Sequence, residues 1–108
     1  MISSIRLATT LGGALLLAAA AAAQAGDPQV GRDKAATCMG CHGVPSYMNV
    51  YPSYHVPKLG GQHPEYLEAA LKAYRDGARK HSTMQAQAAD LSDEDIADIA
   101  AYFATYQR

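Results

Sequence analysis

A small all-α domain, a bundle of helices closing on a bound group, is what this 108-residue chain predicts from three observations. Two stretches carry apolar residues at helical spacing, one from Leu67 to Tyr74 and one from Ile96 to Phe103. No stretch of useful length alternates apolar and polar residues as a half-buried strand does. The large apolar side chains beyond residue 25 are too few to fill a core unaided. A chain of this size then needs a disulfide, a metal or a cofactor.

Met1 to Ala25 reads as an export leader. One positive side chain, Arg6, precedes an apolar run from Leu7 to Ala23, and Ala23-Gln24-Ala25 has the small-x-small form of a cleavage site. We therefore expect a cleaved signal peptide over residues 1–25 and one domain over 26–108, with no stable membrane insertion afterwards. A retained anchor helix is the alternative, disfavoured by the alanine content of the run. No cysteine stands directly after the run, which excludes a lipid anchor there. Without Arg6 the remainder is slightly acidic, and that balance excludes nucleic acid as a partner.

Four segments follow. Asp27 and Pro28 make a cap and first helical position, opening a short helix that runs to the cysteines. Gly43 to Gly61 is expected to be irregular, with Pro45, Pro52 and Pro57 interrupting any regular element. A helix begins near Pro64, with Leu67, Ala70, Leu71 and Tyr74 on one face, and stops at Gly77. Glu68–Lys72 and Lys72–Asp76 stand at ion-pair spacing on it. Ala78 to Asp90 is expected to be an irregular, polar connection. The last helix starts at Ser92, with Asp93, Glu94 and Asp95 at its positive end and Ile96, Ile99, Ala100 and Phe103 as its buried stripe.

Cys38-Met39-Gly40-Cys41-His42 contains both cysteines of the chain and sets a histidine directly after the second. That spacing is the attachment pattern of c-type haem, with Cys38 and Cys41 forming thioethers to one porphyrin. Two exported cysteines ordinarily pair as a disulfide, but the adjacent histidine argues for thioethers. A zinc site is the weaker alternative, since structural zinc takes four ligands. His42 falls beneath the iron and supplies one axial nitrogen. A ligating imidazole usually donates its second N–H to a carbonyl or carboxylate. Pro57 is a candidate to present that carbonyl, its plainer reading being an ordinary turn proline. Leu59, Leu71, Ile99 and Phe103 are the expected apolar lining.

The other axial position has several candidates. Met39 lies inside the motif, and Met48 follows His42 too closely to reach around the ring at ~3.3 Å per residue. Met84 lies far enough downstream to approach the other face, so His42 and Met84 are the expected iron ligands. His55, His63 and His81 keep a bis-histidine arrangement open, as does a site with no second protein ligand. A His/Met pair raises the reduction potential relative to bis-histidine ligation and leaves no position for substrate. Tyr47, Tyr51 and Tyr54 either touch the haem or cover apolar surface with their hydroxyls in water. Lys72, Arg75, Arg79 and Lys80 form either a surface for an acidic partner or a solvated helix face.

In combination, Gly31, Cys38-x-x-Cys41-His42-Gly43, Pro57-Lys58-Leu59-Gly60-Gly61-Gln62, Met84 and Leu91 through Tyr102 resemble a bacterial monohaem class I cytochrome c. The chain is similar to one domain of the periplasmic dihaem cytochromes of that class, over essentially all of residues 26–108. The resemblance implies a cytochrome c-type helical bundle wrapped around one covalent haem c, with Gly31 and Tyr102 where the first and last helices cross. It also implies Pro57 as the acceptor for the ligating histidine and Met84 as the axial methionine. The expected function is that of a periplasmic one-electron carrier between redox protein partners, not an enzyme. Two alternatives stand beside it: an electron-entry subunit of a larger oxidoreductase, and a haem peroxidase or ligand sensor with an open site.

Overall fold

The computed structural model describes residues 25–107. Apart from Ala25, the signal peptide expected over residues 1–25 lies outside the described residues. Helix α1 (Pro28–Lys34) starts where Asp27 accepts the N–H groups of Gln29 at 2.8 Å and Val30 at 3.4 Å. Pro28 has no amide to leave unsatisfied there. A single turn, α2 (Met39–His42), carries the second half of the cysteine motif. Helix α3 (Pro64–Arg75) follows an extended His63, as the residue before a proline tends to be. It ends at Gly77, whose φ of +79° suits a residue without a Cβ. Helix α5 (Asp93–Thr105) opens with a reciprocal cap: Asp95 N–H donates to Ser92 Oγ and Ser92 N–H to Asp95 Oδ2, both at 3.0 Å.

Two expectations are corrected. The segment read as an irregular connection contains a helix, α4 (Ser82–Ala88). Its apolar period is too weak to announce it, and its cap is a histidine: His81 Nδ1 accepts the Met84 N–H at 3.4 Å. The loop read as wholly irregular contains a minimal hairpin, β1 (Met48–Asn49) antiparallel to β2 (Tyr54–His55). Strands of two residues are too short to show alternation. On α3, Glu68–Lys72 pairs as expected at 3.8 Å, whereas Asp76 is taken by Arg75 Nε at 3.1 Å.

The core is small: Ala35, Leu67, Ile99, Ala100 and Phe103 are buried together, with Leu59, Leu71, Leu91, Tyr102 and Tyr106 packed against them. Burying a side chain the size of Ile99 or Phe103 contributes roughly 1.5–3 kcal/mol. Helices α1 and α5 cross closely because Gly31 lies at the contact, where a Cβ would strike the Asp98 carbonyl and press on Tyr102. Asp98, only 5% exposed, completes the crossing. Its Oδ1 accepts the Asp27 N–H at 2.7 Å and its Oδ2 accepts Lys34 Nζ at 2.7 Å. Lys34 also reaches Asp95 at 2.8 Å. Among the described residues no helix is long and apolar enough to cross a membrane.

Candidate functional site

Between these elements lies a cavity of about 440 Å³. Cys38, Cys41 and His42 line it from the α2 turn, and Pro57 and Leu59 from the loop that follows the hairpin. Leu67 and Leu71 form a wall from α3, Met84 lines it from α4, and Ile99 and Phe103 from α5. Every residue expected at a cofactor site is thus on one cavity wall, as are the four residues expected as its apolar lining.

The orientation of His42 has a definite cause. Its Nδ1 lies 2.9 Å from the Pro57 carbonyl oxygen. A carbonyl only accepts, so Nδ1 carries the proton and Nε2 of the neutral ring keeps a lone pair. Proline at position 57 restricts the backbone that presents this oxygen. Cys38 is half-buried and Cys41 exposed, and both thiols are free of a disulfide. Burial pushes the Cys38 thiol up, the opposite of what a nucleophilic redox cysteine requires. Among the described residues no three His, Cys, Asp or Glu side chains gather as a metal cluster.

Of the three loop tyrosines only Tyr54 lines the cavity; Tyr51 is 95% exposed. The Tyr54 hydroxyl lies 3.2 Å from Thr83 Oγ1, and its ring packs edge-on to His81 at 4.7 Å. This contact ties the hairpin to α4 and hence to Met84. His55 and His81 are also on the cavity wall, but His63 is not. Arg79, Tyr66 and Tyr74 line the cavity as well, although nothing in their spacing marks them as site residues.

The residues present fit a haem. A large apolar void sits where a domain with so small a core would otherwise be filled. Two thiols and an imidazole with a free lone pair stand on its wall, and a thioether enters from another helix. A mostly helical domain built in this way defines the class of covalent haem domains. Residues 28–103 match the family model described as cytochrome C oxidase, cbb3-type, subunit III, and the chain belongs to the cytochrome c family, whose members carry electrons. Its cofactor is haem c with its iron.

The chain is 49% identical over 86 residues to cytochrome c-554(548) of Halomonas halodenitrificans, covering 77% of this chain and 100% of that one. It is 44% identical over 85 residues to cytochrome c4 of Thiocapsa roseopersicina, covering 78% of this chain and 42% of the relative. A third relative is the thiosulfate dehydrogenase electron acceptor of Thiomonas intermedia, 35% identical over 97 residues, covering 90% and 42%. The chain thus matches the whole of the first relative and about two fifths of the other two.

Proposed function

We propose that the domain is a periplasmic carrier that takes one electron from a redox protein and passes it to another. In this reading Cys38 and Cys41 would hold one haem c through thioethers within the helical bundle, and His42 and Met84 would ligate its iron. The observation that carries the reading is the single apolar wall shared by the cysteine pair, the oriented imidazole and the Met84 thioether. The periplasm follows from the export leader over residues 1–25, because thioethers of this kind are made outside the cytoplasmic membrane.

When bound, the haem supplies reversible one-electron chemistry at its iron. The chain's own residues set the terms of that chemistry. Pro57 holds His42 in one tautomer and fixes the orientation of its ring. Met84 offers a soft, uncharged sulfur, which favours the ferrous state. Leu59, Leu71, Ile99 and Phe103 keep water away, which also disfavours the more highly charged ferric state. His81 and Tyr54 steady the start of α4, so Met84 is presented from a fixed backbone. Ligation by both His42 and Met84 would leave no position for a substrate, which separates a carrier from a peroxidase.

A second reading has an observation of its own. Val44, Met48, Val50 and Tyr51 are exposed around the hairpin. That surface suits a domain held in a larger oxidoreductase as its electron-entry subunit, and copurification with a larger redox subunit distinguishes this from a free carrier. The Thiomonas relative, by its name, accepts electrons from a dehydrogenase, and a protein donor of that kind fits either reading.

The test is Met84→Ala in the exported, haem-loaded protein. The ferric spectrum of the unmodified protein is expected to show the methionine–iron charge-transfer band, and the variant to lose it. The reduced variant is expected to bind carbon monoxide where the unmodified protein does not. An unchanged spectrum in the variant sinks the Met84 assignment.

A further inference from the structure

The Pro57 carbonyl that orients His42 stands near the edge of the molecule. His42 is half-buried and Pro57 exposed. A second recess, of about 320 Å³, is lined by His42, Pro57, Lys58, Gly60 and Tyr106 among others. Water in that recess competes for the same oxygen, so a 2.9 Å contact to one ring nitrogen needs more than a stiff proline to hold it. The hold comes from the residues that follow, 58–62.

Those residues are fastened to the C-terminal end of α5. Gly61, at a φ of +80°, donates its N–H to the Phe103 carbonyl at 2.9 Å. That carbonyl is one of the last few of α5, which the helix ladder itself does not satisfy. Gly60 lies flat against Tyr106: a Cβ there would stand 2.7 Å from the Tyr106 carbonyl oxygen and 3.1 Å from its ring. The half-buried Tyr106 ring packs in turn on Tyr102 and Phe103, with centroids 5.6 Å and 6.3 Å away. The loop also closes on itself. The Gln62 N–H reaches the Leu59 carbonyl at 3.2 Å, and the Gln62 side chain donates to the Lys58 carbonyl.

We infer that Gly60 and Tyr106 are positioning residues for His42: their contact seats the loop on the end of α5 and so fixes the Pro57 carbonyl against His42 Nδ1. Neither residue lines the haem cavity. Their role depends on the haem reading, in which His42 ligates the iron, and not on Met84. A ligand has to be held within about 0.5 Å and 10–20° of its working geometry by groups that are themselves locked in place. Here the lock is a glycine pressed on the last turn of the terminal helix. The contact is made by the Tyr106 backbone and ring, so the hydroxyl has no part in it.

The test is deuterium exchange of the His42 Nδ1 proton, followed by NMR in the haem-loaded ferrous protein and its G60A, Y106A, Y106F and D98N variants. Exchange is expected to speed up several-fold in G60A and Y106A while the α3 amides stay protected, and to keep the unmodified rate in Y106F. D98N loosens the α1–α5 crossing, away from the loop, and is expected to lower global stability without moving the His42 proton. If G60A fails to fold, Y106A carries the test through the same change in the same direction. An unmodified rate in Y106A, or in a folded G60A, overturns the proposal. So does a D98N rate as fast as that of G60A at the same loss of stability, because the exchange is then global opening. A His42 ring without the ring-current shift of a haem ligand in the unmodified protein overturns the haem reading and this role with it, whereas equal rates across the variants overturn this role alone.

Discussion

The α1–α5 crossing and the hairpin loop are built on opposite principles. At the crossing, backbone meets backbone at Gly31, and the buried Asp98 carboxylate joins Asp27 and Lys34 of one segment to the other helix. In the hairpin, Val50 is 87% and Tyr51 95% exposed, and the link to the rest of the domain runs through Tyr54 and Thr83. The crossing needs nothing from the cavity to hold it, because its contacts are complete within the chain. The hairpin borders the cavity through Tyr54 and His55, and its exposed Val50 and Tyr51 are left for a partner to cover. A small haem domain can thus divide the work between a self-sufficient brace and an adaptable flank.

Breaking the brace is expected to give the largest effect. Gly31→Val puts side-chain atoms into the Asp98 carbonyl, and overpacking of this kind costs about 1–3 kcal/mol or more. Folded yield and the denaturant midpoint are expected to fall sharply. A midpoint unchanged by this variant is incompatible with close contact at residue 31.

Asp98→Ala comes next. It strands the Asp27 N–H and one arm of Lys34, a loss of about 1–3 kcal/mol. Its pH dependence has a definite sign. The Lys34 ammonium, then the Asp27 N–H, hold the Asp98 carboxyl below the ordinary carboxylate range, and Lys34 and the Ser92 contacts bring Asp95 down to about 2. Carboxyls depressed in the folded state stabilise it above their unfolded pKa of ~3.9 and lose that contribution as the pH falls through the folded values. Acid denaturation curves are expected to show this loss between pH ~4 and ~2. Asp98→Asn should flatten it, and an identical acid limb in that variant removes Asp98 from the account.

Tyr54→Phe sharpens the comparison from the other side. Losing the hydroxyl contact to Thr83 is expected to cost at most about 0.5–1.5 kcal/mol in global stability. It should raise amide exchange in α4 and the hairpin while leaving α1 and α5 protected, so uniform exchange across all helices contradicts the link. Smallest of all is Val50→Ser with Tyr51→Ser. Each lies on the surface away from any partner in the fold, where substitutions stay within about 0.5 kcal/mol. A larger loss of stability means that these side chains are covered in the folded protein.

What could be read in the chain were the features whose physics is local. Cysteine spacing and the following histidine lie within five consecutive residues, so Cys38, Cys41 and His42 need no fold to be recognised. Helices α3 and α5 show their stripes because each buries one face, and the Ser92 cap shows because donor and acceptor stand three residues apart. Helix α4 stayed hidden because Ala88 is the only fully buried residue along it, so it carries no strong period, and because its cap, His81, is not one of the usual capping residues. The Asp98 clamp stayed hidden for a different reason. Asp98 follows the acids that open α5, on a helix where a carboxylate ordinarily faces water, and its partner Lys34 is 64 residues away.

The sequence by itself therefore determined the kind of cofactor, the helices α3 and α5, and a short list of candidate side chains that line one cavity. Only the tertiary structure decided which polar groups come together: that Lys34 closes on Asp98, that His81 caps the turn bearing Met84, and that Arg79 lines the cavity with its guanidinium over Tyr74. The reason is that a hydrogen bond or ion pair depends on distances of about 3 Å between atoms. Such distances are set where distant segments of chain are packed against one another, and residue order alone does not carry them.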